Sequence, residues 1–381
     1  MKKNRILAIR PEGIVIPSIH GSMVRAFQGL GAEVVEIAAA ECFAHLRWHC
    51  RDYLAVFCID LAPAPQFLSG LPELQTGLKI PWAVWFVDDP EGYRFPQSCA
   101  PEWTLAFCWD REIVNQLNES PRIGRTVVHL PLAADPQLFF PENGQREPAD
   151  AGGVFAGSTA HRNDLLASVP GKTPGFSEEV DLLWKVYRRD FGQSLHGLAW
   201  ERLAGKVGLG PKIIQADPLA RLEVLALVHF AGMRKRLEVV KRVIGDTGRV
   251  YGDEGWRAVV RDLYRGTIRY GEELRKVYGE SRFILDVRQP QGRTGITQRP
   301  FDAGACGRAV LAEWSPELDD LFEPRSLFIF RNPEEAEEER NRCLRDPAAA
   351  GKKGEVLRKC ILAAHTYGHR AKRIWEAIQK F

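Results

Sequence analysis

The stretch SRFILDVRQPQGRTGITQRPFDAGACGRAVLAEW, residues Ser281–Trp314, decides how the rest of the chain is read. Phe283-Ile284-Leu285 with Val287 is a short apolar run, the mark of a buried strand. Gly292, Thr294, Gly295 and Thr297 then make a loop of small residues. A helix follows, with Thr294 or Thr297 to cap it, Pro300 in its first turn and Gly307 as its stop. Ala309-Val310-Leu311 starts another strand at once. A helix entered through small residues exposes unbonded backbone N–H groups and the positive end of its dipole, which suits an anion. Arg293 and Arg299 flank that point and could add charge-assisted bonds to a diphosphate.

Outward from this unit the same alternation recurs. Arg5–Ile9, Ala32–Ile37, Tyr53–Ile59, Pro81–Val87, Leu105–Trp109 and Thr126–Leu130 read as strands, with a helix over about Ser18–Leu30. Their apolar runs are continuous, as in parallel strands covered on both faces. Trp109-Asp110-Arg111 reads as the turn from strand into helix. The chain turns polar at DPQLFFPENGQREPADAGG, which places a linker at about residues 140 to 151. Gly153–Ser158 opens a second sheet, residues 164 to 245 read as mostly helical, and Arg249–Gly252 and Leu327–Phe330 are further strands. Glu334–Arg345 is a helix charged to suit its dipole, and Lys353–Phe381 a long C-terminal helix broken near Gly368.

A length of 381 residues gives room for two domains, and the composition, 45% hydrophobic and 27% charged, is that of a globular protein. Lys plus Arg at 52 against Asp plus Glu at 49 leaves a net charge of +3, too little to argue for nucleic acid. No apolar run approaches a membrane span, and MKKNRILAIRPEG reads as a first strand, not a signal peptide. The eight cysteines form no C-x-x-C pair, so reduced buried thiols in a cytoplasmic protein are expected, without a zinc site.

The pattern T-x-x-x-x-R-P-F-D-A-x-A-x-G-R-A-V-L, Thr294–Leu311, resembles the donor-binding element of GT-B glycosyltransferases, and more closely that of their CgeB (spore-maturation) group. L-P-L-A-A-D-P at Leu130–Pro136, F-A-G-S-x-x-x-R at Phe155–Arg162 and H-T-Y-x-H-R at His365–Arg370 are similar to further elements of that group. The resemblance implies two Rossmann-like domains facing across a cleft. The acceptor-side domain would span residues 1–145, and the donor domain 146–365 with a helical insertion at about 164–245. Residues 366–381 would return to the first domain. The implied reaction moves a sugar from a UDP-, GDP- or dTDP-linked donor to a hydroxyl of a glycan, protein or small molecule. A GT-B epimerase and a non-catalytic nucleotide-sugar-binding or scaffold protein are the alternatives.

Each candidate residue has two readings. Gly157, Ser158 and Arg162 either receive the donor diphosphate or form an ordinary tight turn. Asp302 stands at the family's acidic position and would bond ribose or sugar hydroxyls; otherwise it only serves the helix dipole. The family's other acidic position is Thr294 here. Asp88 and Asp89, at a strand end, would bind acceptor hydroxyls or supply a general base; the alternative is a strand-end turn before Pro90. His20, with Glu12 and Gly13 in or before the first helix, is either a proton acceptor or a packed residue. Tyr251 stacks on a nucleotide base or belongs to the core. Arg299, with Arg162 and Arg293, would stabilise the departing diphosphate, a role that replaces a metal; no D-x-D loop is present.

Overall fold

The continuous apolar runs form two parallel sheets with helices on their faces. The computed structural model describes residues 4–60, 70–90, 99–119, 126–142, 152–159, 166, 168–171, 173–215, 217–245 and 247–381. The first sheet holds β1 (Arg5–Arg10), β2 (Glu33–Ala38), β3 (Ala55–Ile59), β4 (Trp82–Phe86), β5 (Thr104–Cys108) and β6 (Val128–His129). Their order is β2-β1-β3-β4-β5-β6, and every pairing is parallel. Every residue of β3 and β4 is buried, as continuous apolar runs require. The second sheet has the order β11-β10-β9-β7-β8, built from β7 (Gly153–Ala156), β8 (Arg249–Tyr251), β9 (Phe283–Asp286), β10 (Ala309–Glu313) and β11 (Phe328–Phe330).

In each sheet the strand order reverses beside the first strand of the set, at β1/β3 in the first and β7/β9 in the second. Neighbouring loops leave in opposite directions there, which opens a crevice outside the carboxyl ends of the strands. Between β7 and β8 run the helices Phe176–Tyr187, Leu195–Val207, Pro211–Ile214 and Pro218–Ile244. The last starts on Asp217, whose side chain accepts from Leu219 N at 2.9 Å, and ends at Gly245 with φ +62°. Its buried stripe runs Val228, Ala231, Gly232, Lys235, Arg236, Val239, Val240 and Val243, the spacing of one helix face.

The chain divides into two compact units. One comprises Met1–Gln137, Thr294–Ile296 and Ile361–Phe381; the other Leu138–Arg293 and Thr297–Cys360. The C-terminal helix Tyr367–Lys380 thus belongs with the first sheet, where it packs on the helix Ile16–Gly29. It buries Tyr367, Ile374, Trp375 and Ile378 there. The helix break falls at His365-Thr366, not at Gly368, because Thr366 and His369 form a reciprocal cap. A helix at Ala39–His49, which the sequence analysis did not place, follows β2 directly. All eight cysteines are free thiols, six of them buried. Among the described residues no helix is long and apolar enough to cross a membrane.

Candidate functional site

Gly157 follows β7 at the β7/β9 reversal of the second unit. Its N–H donates to Tyr251 O at 2.9 Å and its carbonyl accepts from Trp256 Nε1 at 2.7 Å, so both backbone groups are fixed. A Cβ at this position would lie 2.2 Å from Arg299 Nη2 and 2.9 Å from Arg236 Nη2, so any side chain here would push the two guanidiniums aside. Thr159, two residues on, is held by Asp253 through its N–H at 2.6 Å and its hydroxyl at 2.8 Å. Ser158 between them is exposed, and Tyr251 is half-buried at the end of β8. Arg162 lies outside the described residues.

The helix Gln298–Ala305 carries Arg299 in its first turn, behind the N-cap Thr297. Neither expected cap forms. The Thr297 hydroxyl donates instead to Asp286 Oδ1 at 2.5 Å, and that of Thr294 to Asp110 Oδ1 at 3.2 Å. Arg299 donates through Nε to Ala156 O at 2.6 Å and through Nη1 to Asp286 Oδ1 at 3.0 Å, with its guanidinium over the Phe155 ring. Arg236 covers the same ring, fully buried, and donates through Nη1 to Val287 O at 3.1 Å. Its Nε and Nη2 have no hydrogen-bond partner among the described residues. Burial first and the neighbouring Arg299 second push the Arg236 pKa down, to about 9.

Beside this pair lies a second buried ionic group. Glu313, at the end of β10, accepts from Lys235 Nζ at 2.8 Å and from Arg288 Nε and Nη2 at 2.9 and 2.7 Å. Burial lowers the Lys235 pKa to about 8, against the pull of Glu313. Glu313 itself titrates below its usual range: burial, the largest influence, opposes this, but Arg288 and Lys235 outweigh it. Arg288 Nη1 also donates to Arg293 O at 2.6 Å, which fixes the loop that Arg293 ends. Lys235, Arg236, Arg288 and Arg299 are all buried, against the buried carboxylates Asp286 and Glu313. Asp253 and Glu313 also act on Arg236, but neither hydrogen-bonds to it among the described residues.

Asp302 is buried and accepts from Tyr270 OH at 2.8 Å and Gln298 Nε2 at 2.7 Å. Thr294 and Gly295 group with the first unit, where Asp110 Oδ2 accepts from their N–H groups at 2.9 and 2.8 Å. Asp110 also accepts from Ile113 N at 3.1 Å. It therefore does more than turn strand into helix, as the sequence had suggested: it anchors a loop far along the chain. Arg236, Arg288 and Lys235 escaped the sequence analysis, and Asp110 was read there only as part of a turn.

In the first unit Asp88 and Asp89 are half-buried just beyond β4. His20 is 3% exposed on the helix Ile16–Gly29, with Nε2 3.0 Å from Glu36 Oε2 and its ring stacked on Phe57. Burial lowers its pKa and outweighs the Glu36 contact. Glu12 and Gly13 are exposed. The two motifs Leu130–Pro136 and His365–Arg370 meet each other. Ala134 N donates to His365 O at 3.0 Å, and Arg370 donates to Pro131 O at 2.7 Å and Leu132 O at 2.8 Å. Among the described residues no group of three or more His, Cys, Asp or Glu side chains is arranged to hold a metal ion.

Residues 232–376 match a family model described as glycosyl transferase-like. No curated protein matches the chain. Solved structures match it end to end. Sucrose-phosphate synthase from Thermosynechococcus elongatus aligns at 12% identity and TM-score 0.56, covering 99% of this chain and 98% of that one. Anabaena HepE, solved with UDP and glucose, aligns at 9% identity and TM-score 0.57, covering 99% of this chain and 100% of that one. An alpha-glucosyltransferase solved with UDP aligns at 11% identity and TM-score 0.55, over 98% and 99% of the two chains. The two parallel sheets and these likenesses define the fold: it is that of the GT-B glycosyltransferases, two Rossmann-like domains with the C-terminal helix returned to the first.

Proposed function

We propose that this chain is a metal-independent glycosyltransferase of the CgeB-like kind. It moves a hexosyl unit from a nucleotide diphosphate sugar to a hydroxyl acceptor in the cytoplasm. The family match over residues 232–376 and the UDP and UDP-glucose complexes of the structural neighbours support donor use of this type. One observation carries the reading: the buried, under-bonded Arg236 beside Arg299 and the Gly157 backbone, at the strand-order reversal of the second sheet. A diphosphate brings the negative charge and acceptor oxygens that this pair lacks. The two guanidiniums would neutralise the leaving group as its charge grows, the electrostatic work a metal does elsewhere. In this reading Gly157, Ser158, Arg293 and Thr297 take the diphosphate and its sugar, a part the sequence also offers to Arg162, Thr294 and Gly295. Tyr251 stacks on the base, Asp302 organises the sugar or ribose side, and Asp88, Asp89 and His20 belong to the acceptor side.

A thermal-shift panel of UDP-, GDP- and dTDP-linked sugars tests the proposal, followed by product analysis with the sugar that stabilises. Transfer to an added hydroxyl compound supports it. A new nucleotide sugar formed from donor alone identifies the epimerase instead. Binding without turnover leaves a nucleotide-sugar-binding scaffold. No shift with any member of the panel rejects all three.

A further inference from the structure

Asp60 ends β3, at the point where the strand order of the first sheet reverses. Three features set it apart. Its φ is +52°, in the left-handed region that a non-glycine residue enters only at a cost. Of the other two such residues among those described, Lys79 ends a helix in the left-handed conformation usual there, and Arg261 ends one with φ +46° and ψ −114°. Second, the side chain is 1% exposed. Its Oδ1 accepts from Val87 N at 3.0 Å and Asp88 N at 3.3 Å, the two residues that follow β4. Third, Oδ2 is buried with no hydrogen-bond partner among the described residues. Oδ1 alone accounts for holding the turn. An ionised carboxylate oxygen left unbonded in the interior is costly, and protonation is the usual relief.

We propose that Asp60 and Asp88 are a carboxyl–carboxylate pair, in which Asp60 holds a proton on Oδ2 and so leaves Asp88 as the ionised member. Asp88 then accepts the hydrogen bond of the sugar acceptor's hydroxyl. Asp60 is a positioning residue that acts through Asp88, and the acceptor role rests on the transferase reading above. Burial first and the neighbouring Asp88 second raise the Asp60 pKa to about 8, while the Val87 and Asp88 amides pull the other way. The remaining titratable groups nearby are the thiols of Cys58, on the same strand, and Cys108, on β5, both raised by burial and uncharged near neutrality. Cys108 also feels Asp89 and Asp110, further carboxylates at this edge. No cation among the described residues enters the balance on Asp60. The Asp88 amide donates to Asp60 Oδ1 at 3.3 Å and the Asp88 charge acts on Asp60, so ionising the buried Asp60 beside it is disfavoured and Asp60 holds the proton.

Infrared difference spectroscopy on the full-length protein reads that proton directly. Wild type should show a protonated-carboxyl C=O band at neutral pH that titrates away near pH 8. Asp60→Asn should lack the band while keeping the two Oδ1 contacts and a wild-type circular dichroism spectrum. In Asp88→Asn, with the like charge removed, the band should vanish at a lower pH. No band in wild type, or an unchanged band in Asp60→Asn, overturns the pair. The second arm follows UDP-glucose turnover against pH, with water and with methyl glucoside as acceptors. An alkaline fall in kcat/KM for the acceptor that disappears in Asp60→Asn, with UDP affinity unchanged by calorimetry, supports the acceptor role. Superimposable profiles overturn it. Failure of wild type to bind or turn over any UDP-, GDP- or dTDP-linked donor would sink the transferase reading and the acceptor role with it, while the infrared arm still decides the proton on Asp60.

Discussion

Arg236 sits where the apolar stripe of its helix would ordinarily carry a leucine, between Gly232 and Val239/Val240. A buried arginine with one hydrogen bond is a poor stabiliser, because desolvation is offset only when charge and all donors are matched. Replacing Arg236 by Met, which fills the same stem volume, should therefore leave unfolding free energy within about 1 kcal/mol of wild type. The same change should weaken UDP binding by about tenfold or more, the worth of a charge-assisted bond. Chemical denaturation and calorimetry check the two halves; a structural arginine would lose stability and keep the ligand. His20 gives a second residue-scale prediction. Its folded pKa lies below the ordinary histidine value of 6.5, so the unfolded chain binds the proton first as pH falls. Its contribution is thus present above about pH 6.5 and lost progressively on acidification. His20→Phe, which keeps a ring against Phe57, should flatten the loss between pH 7 and pH 5 in urea unfolding. Arg299 and Asp302 were legible because they stand inside a recognisable pattern. Arg236 and Asp60 were not, since no pattern marks a cation in a charged helix or a left-handed aspartate after FCI.

At the scale of elements, the strands were the most readable part. Runs such as Val56–Ile59 and Trp82–Phe86 can only be buried, and a doubly covered parallel strand is where they fit. The caps were less so. Both threonines ahead of the helix Gln298–Ala305 are cap formers by type, but Asp286 and Asp110 take their hydroxyls through contacts that only the folded chain creates. Asp110 shows what such a contact is worth. It is fully buried and accepts from three backbone amides, those of Ile113, Thr294 and Gly295. Asp110→Ala should orphan all three and cost about 2–4 kcal/mol, at one to three for each unmet buried group with partial relaxation. A melting temperature unchanged from wild type would show that water replaces the carboxylate.

For the whole molecule, the division into two units was foreshadowed by the polar stretch after Asp135 and by the repeated alternation of strand and helix. The return of the C-terminus to the first sheet came from family resemblance alone, because nothing in an amphipathic helix names the surface it will cover. That helix buries Tyr367, Ile374, Trp375 and Ile378, each worth about 1.5–3 kcal/mol. A chain ending at Ala364 should lose about 6 kcal/mol or more, comparable with the entire stability of a domain, and its first unit should unfold. Circular dichroism and limited proteolysis read this directly; a truncated chain as resistant as the full one would contradict it. The account as a whole turns on whether the unbonded nitrogens of buried Arg236, beside Arg299, take pyrophosphate oxygens. Calorimetric titration of UDP, GDP and dTDP into the wild-type protein at two salt concentrations measures that. Saturable one-site binding of at least one nucleotide, weakened by salt, is the predicted result; no heat of binding from any of the three would contradict it.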